Sequence, residues 1–289
     1  MLNIDGDDGI NAILRLRGLN DEDFINRHYV VFATKNGTVK KTPLKFYSRP
    51  RTNGVIAINI VEGDEVVDVR LTNGHNELIM ANRNGRAVRF DESTIRPMGR
   101  VATGVRGMRV DEGDDEVVGM IVVNEAEKEN VMVVSENGYG KRSQVEDYRK
   151  TNRGGKGVKT LNVTEKTGRL VAIKNVTDSN DLMIINKSGI VIRMPVAGCR
   201  VIGRATQGVK LINLSKKNDI IASVCKVMSS ELEAAVEEES RAQWNQKNED
   251  LVNDTKPLDD NANDEIIDDV IIDEDEDENI PLIDIDDEE

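Results

Sequence analysis

The chain has 289 residues with 39 bases, 53 acids and an aromatic content of 3%. The charge is unevenly divided: residues 231–289 hold three of the bases and 25 of the acids, a net of −22, which leaves residues 1–230 at +8. Two cysteines exclude a disulfide framework. No apolar run nears the ~18 residues of a membrane span, and the opening MLNIDGDDGI lacks the basic and apolar regions of a signal peptide, so the expectation is a cytoplasmic protein whose basic body meets an anionic partner.

Residues 1–9 read as an extension or a truncated blade. A pattern then repeats. VVFATKNG at 30–37 returns as LIMANRNG at 78–85, VMVVSENG at 131–138 and LMIINKSG at 182–189, with closing glycines 48, 53 and 51 residues apart. A second glycine recurs in TNGV, ATGV, GKGV and TQGV, at Gly54, Gly104, Gly157 and Gly208, in steps of 50, 53 and 51. Two independent markers keep one period, the signature of a repeat architecture.

Each first marker predicts a hairpin, because Asn-Gly supplies the positive φ angles of a tight turn between strands. The second predicts another turn into a strand, at 55–60 and 209–214 in the first and last repeats. Further turns, at Gly63, Gly113, Gly168 and Lys217-Asn218, precede strands at 66–71, 117–123, 170–176 and 220–227. Helical periodicity is nearly absent from 10 to 228. The expected fold is therefore all-β: a propeller-like disc of about four visible four-stranded blades, framed as 10–63, 64–113, 114–168 and 169–228. The first repeat lacks upstream company, which suggests a piece of a larger ring.

Beyond residue 228 the composition changes. SELE at 230–233 has capping-box spacing and predicts a short helix over 230–244. From 253 the chain reads as a disordered acidic tail. Apolar stretches at 266–272 and 280–285 interrupt it, so it is either a solvating tail or a docking segment. Its charge allows it to compete with phosphate for the basic body.

No catalytic or metal constellation is visible. His28 and His75 lack partners at ligand spacing, and GYGK and GGKG do not complete a phosphate-binding P-loop. Bases, in contrast, recur in register. Lys41, Arg89, Arg142 and Arg193 stand four residues after the hairpin glycines, and Lys40 and Lys141 add a second charge. Others gather before the second glycine, among them Arg96, Arg149, Lys150 and Arg200, and Arg106, Lys159 and Lys210 follow it by two. The candidate DNA-binding residues are Lys40, Lys41, Arg49, Arg51, Arg86, Arg89, Arg100, Arg106, Lys141, Arg142, Arg153, Lys156, Lys159, Arg193, Arg204 and Lys210.

Such a track suits the phosphates of duplex DNA. No recognition helix is present for base readout, and aromatics are too few for a single-strand stacking platform. The alternative is a set of solvated blade edges where Lys guards against edge pairing. Val39, Ala87, Gly140 and Val191 lie two residues before the repeated bases on the same strand face, which is either a close-approach surface or a blade-packing surface.

VVFATKNGTVKKTPL, TNGVIAINIVEGDEVVDV, RNGRAVRFDESTIRPMGRVATGVRGMR and NGYGKRSQVEDY resemble the C-terminal domain of the DNA gyrase A subunit, over about 10–228. The resemblance implies a β-pinwheel, usually of six blades, whose basic rim wraps duplex DNA so that ATP turnover elsewhere introduces negative supercoils. It implies no cofactor in this segment, with ATP and Mg2+ used elsewhere in the assembly. Its implied partners are the rest of the gyrase A subunit, together with the gyrase B subunit, in an A2B2 heterotetramer away from any membrane. None of Tyr29, Tyr47, Tyr139 and Tyr148 lies in the family's catalytic-tyrosine motif, which implies a non-catalytic segment. The family's Q-R-R-G-G-x-G box is matched only at Arg153, Gly154, Gly155 and Gly157, in the third repeat and not the first. The related domain of topoisomerase IV is the near alternative, and a protein-interaction propeller is the alternative of another class.

Overall fold

The computed structural model describes residues 9–229, except 17, 50, 52 and 215–218. The acidic tail, the helix expected at 230–244, the Lys217-Asn218 turn and most of 1–9 lie outside the described residues.

The repeats fold as antiparallel sheets, in line with the all-β expectation. Tyr29–Thr34 (β1) and Thr38–Pro43 (β2) form the first hairpin, in register from Tyr29 opposite Pro43 to Ala33 opposite Val39. Val66–Thr72 (β3) pairs with the other edge of β1. The same plan gives Glu77–Asn82 (β4) with Arg86–Asp91 (β5), Asn130–Ser135 (β8) with Tyr139–Gln144 (β9), and Asn180–Asn186 (β12) with Val191–Pro195 (β13). Their inner strands are Val117–Val123 (β7), Leu170–Val176 (β11) and Ile221–Met228 (β15).

A two-residue strand completes each of the first three sheets, and it comes from the following repeat. Val105–Arg106 (β6) pairs with β2, Val158–Lys159 (β10) with β5, and Val209–Lys210 (β14) with β9. The sheet orders are β3-β1-β2-β6, β7-β4-β5-β10, β11-β8-β9-β14 and β15-β12-β13. This corrects the blade frames drawn at 63, 113 and 168. The strand placed at the head of each next repeat is the inner strand of the preceding blade, and the outer strand crosses over from a repeat further on. Residues 55–60, expected as a strand, form none, and the strand expected over 209–214 is limited to Val209–Lys210.

Packing of blade on blade explains the near-continuous apolar runs: both faces of a middle blade are covered, as in any sheet packed on two sides. β4 divides its residues by parity. Leu78 and Met80 pack toward the first blade with Val31, Val39 and Met108. Ile79 and Ala81 pack toward the third with Ile121, Val133 and Tyr148. A third seam joins Met132 and Val134 to Leu182, Ile184 and Leu214. Each fully buried aliphatic side chain contributes roughly 1.5–3 kcal/mol relative to exposure.

One helix went unpredicted. Glu22–Arg27 (α1) is capped by Asp21, whose carboxylate accepts from the Asp23 and Phe24 N–H groups at 3.0 and 3.2 Å. The capping signal is present in the sequence, but six residues are too few to show helical periodicity.

Candidate nucleic-acid interface

The bases of the repeats divide into two populations, set by which way the strand turns each side chain. In the first three repeats, those three and four residues after the hairpin glycines point into the seams. Lys40 is fully buried, and its ammonium donates to the carbonyl of Ala57 at 2.6 Å and to that of Arg100. Lys141, also fully buried, donates to Gly203 at 2.7 Å and to Arg204. Burial pushes each of these amines down to about 8, with nearby Arg100 assisting at Lys40.

In the first three repeats the next residue reaches the following blade. Lys41 donates to the Glu92 carbonyl at 2.9 Å and pairs with the buried Glu92 carboxylate at 3.6 Å. Arg89 holds the Val145 and Tyr148 carbonyls at 2.8 and 3.1 Å and the Glu77 carboxylate at 2.5 Å. Arg142 holds the Cys199 carbonyl at 2.6 Å and pairs with Asp178. Arg193, in the fourth repeat, is exposed; it pairs with Asp181 of β12 at 2.8 Å and donates to Met228 of β15 in its own sheet. The Glu92 and Val145 carbonyls also accept from the Ile95 and Tyr148 N–H groups, so the repeated cation adds a second, charge-assisted bond to the 3-10 turn of the following blade.

Lys40, Lys41, Arg89, Lys141 and Arg142 are therefore inter-strand and inter-blade clamps and not members of an exposed track, whereas Arg193 is exposed and ion-paired within its own sheet. For Lys41, Arg89 and Arg142 the correction follows from parity: Val39, Ala87 and Gly140 on the same face are buried, so that face packs against a neighbouring blade, whereas Val191, the equivalent before Arg193, is exposed.

The exchanged strands carry the second population. Arg106, Lys159 and Lys210 are exposed at one register on three successive blades. Lys159 and Lys210 each donate to an asparagine three residues on, Asn162 at 3.2 Å and Asn213 at 2.9 Å. Arg86 is exposed on the adjacent strand and donates to the Gly157 carbonyl at 3.3 Å. Arg49, Arg51 and Lys156 are also exposed, Lys156 pairing with Asp111 at 2.5 Å, and Arg100 is half-buried. Arg109, exposed and absent from the candidates, was missed because its register equivalents are Asn59, Asn162 and Asn213.

The glycine ahead of each exchanged strand permits the crossing. A Cβ at Gly104, Gly157 or Gly208 would lie 2.7, 2.2 or 2.7 Å from a carbonyl of the blade edge it crosses, and all three take positive φ. In the box-like turn, Arg153 folds back onto the preceding blade, Gly154 has φ +83°, Gly155 is exposed, and Gly157 makes the crossing.

No group of three or more potential metal ligands exists among the described residues. His28 and His75 line one open cavity with Tyr29 and Lys41. Both cysteines are free, Cys199 buried and Cys225 exposed. No helix among the described residues is long and apolar enough to cross a membrane.

The model of the DNA gyrase C-terminal domain, beta-propeller, matches residues 28–73, 76–124, 129–177 and 180–225. These segments follow the observed blades. The chain is 42% identical over 278 residues to the A subunit of DNA gyrase from Staphylococcus aureus strain MRSA252, covering 95% of this chain and 30% of that protein. The same protein from strain NCTC 8325 / PS 47 is 42% identical over 262 residues. The chain thus spans about 30% of the length of these relatives. Among solved structures, the C-terminal domain of DNA topoisomerase IV aligns with a TM-score of 0.68 at 31% identity, over 75% of this chain and 68% of that one. The DNA gyrase A C-terminal domain aligns with a TM-score of 0.63 at 25% identity, over 70% and 67%. With the repeat, the strand exchange and these likenesses together, the chain belongs to the DNA gyrase C-terminal domain, beta-propeller family.

Proposed function

We propose that the chain binds duplex DNA along its exchanged strands and bends it, as the DNA-wrapping part of a gyrase A subunit. The observation that carries this reading is the exposure of Arg106, Lys159 and Lys210 at one register on three successive blades. Phosphate contacts of that kind position a duplex without reading its sequence. Six to ten contacts correspond to a log–log salt slope of about −5 to −9. Bending a 20–30 bp site costs roughly 1–6 kcal/mol, so contacts on several blades must act together.

In this reading the segment is non-catalytic. The rest of the gyrase A subunit, together with the gyrase B subunit in an A2B2 assembly, supplies ATP turnover, Mg2+ and strand passage. Salt-dependent retardation of a duplex by the chain supports DNA binding. No retardation at low salt favours a protein-interaction propeller.

The alignment with the topoisomerase IV domain supports a second reading, in which the segment guides DNA without strong wrapping. The complete A subunit with its ATPase partner, given relaxed plasmid and ATP, decides between them. Net negative supercoiling is expected from the gyrase reading, whereas relaxation alone supports the other.

A further inference from the structure

The loops that carry the exposed bases are joined by the same backbone bond at each step. The N–H of Asn59 donates to Ala102 at 3.2 Å, that of Arg109 to Gly155 at 3.0 Å, and that of Asn162 to Thr206 at 3.0 Å. Each donor stands five residues after one of the recurring second glycines, Gly54, Gly104 or Gly157, and each acceptor two residues before the next.

Two of these steps carry an arginine bracket. Arg153 donates through Nε to the Thr94 carbonyl at 3.1 Å and through Nη1 to the Arg106 carbonyl at 2.9 Å. Arg204 does the same one blade on, to Asp147 at 2.9 Å and Lys159 at 2.8 Å. In both, one accepted carbonyl ends the 3-10 turn of a blade, and the other belongs to the exposed base of the preceding exchanged strand. Arg204 is itself held, because the buried Lys141 donates to its carbonyl.

We propose that Arg153 and Arg204 are positioning residues of the DNA track. They fix the spacing and angle between Arg106, Lys159 and Lys210, and so set the bend the duplex follows, without neutralising phosphate themselves. This rests on the DNA-binding reading above and assigns both residues a role other than the phosphate contact expected from sequence. A planar guanidinium with two directed donors holds two carbonyls at a fixed angle, which a flexible ammonium does not. Bending a duplex costs deformation energy that is repaid by contacts placed along the curve.

The test uses the full chain and a duplex of about 40 bp with donor and acceptor dyes at its ends, across a salt series. Arg153→Gln with Arg204→Gln is expected to lose at least about half of the end-to-end energy-transfer change while the salt slope stays within about one unit of the parent. Arg153→Lys with Arg204→Lys, which keeps both charges, is expected to lose the bend likewise and covers the case in which the glutamine pair does not fold. Lys159→Gln with Lys210→Gln is expected to lower the slope by about two.

A slope lowered by about two in the glutamine pair makes these arginines phosphate contacts and overturns the proposal. A parental bend in the lysine pair also overturns it. A parent that binds with a steep slope but does not bend removes the positioning role alone. A parent that shows no salt-dependent binding removes the DNA reading and the positioning role with it.

Discussion

Lys141 carries an ammonium into a site without solvent exposure, where the Gly203 and Arg204 carbonyls receive it. Its folded-state value of about 8 lies below the ordinary 10.5. Below about pH 8 both the folded and unfolded states hold the proton, and the cost of burying the charge stands in full. Between about 8 and 10.5 the unfolded chain keeps a proton that the folded one has released, so stability rises with pH. Urea unfolding at several pH values should therefore show the parent gaining stability relative to Lys141→Met across that window, and a constant difference would contradict the burial argument. From sequence, Lys141 was expected at the phosphates; the signal passed over is that Val88 and Ile192 occupy its position in the second and fourth repeats, and Val88 is buried. The clamps one residue later were harder to read, since a cation recurs in every repeat whether it faces phosphate or a carbonyl. Only the burial of the neighbouring blade resolves that.

At the scale of elements, the hairpins were legible because their information is local: a β-branched run, an Asn-Gly or Ser-Gly turn and a second run. The blade boundaries were not, because the outer strand pairs across about 70 residues and consists of two residues in each case. What marks the crossing is the second glycine. Gly157→Ala places a Cβ 2.2 Å from the Ala87 carbonyl at φ +74°, whereas Gly54, at φ +70°, meets nothing within 4 Å. The Gly157 variant should lose more than about 3 kcal/mol of unfolding free energy, against about 1 kcal/mol for Gly54→Ala, where only backbone strain is added. Equal losses in urea would show that the crossing does not require glycine.

At the scale of the molecule, the sequence indicated a basic body built of repeated blades, and the described residues form four sheets joined by three exchanged strands. Register alone merged two sets of bases that the fold separates. The seams take up Lys40, Lys41, Arg89, Lys141 and Arg142, while the exchanged strands leave Arg106, Lys159 and Lys210 exposed. The central claim is that this outer set carries the contact with DNA. The salt dependence of duplex affinity for the full chain, beside Arg106→Gln, Lys159→Gln and Lys210→Gln combined, measures it directly. The parent should give a log–log slope steeper than about −5, and the triple variant a slope about three shallower with an unchanged melting temperature. Identical slopes for a folded triple variant and its parent would contradict the account.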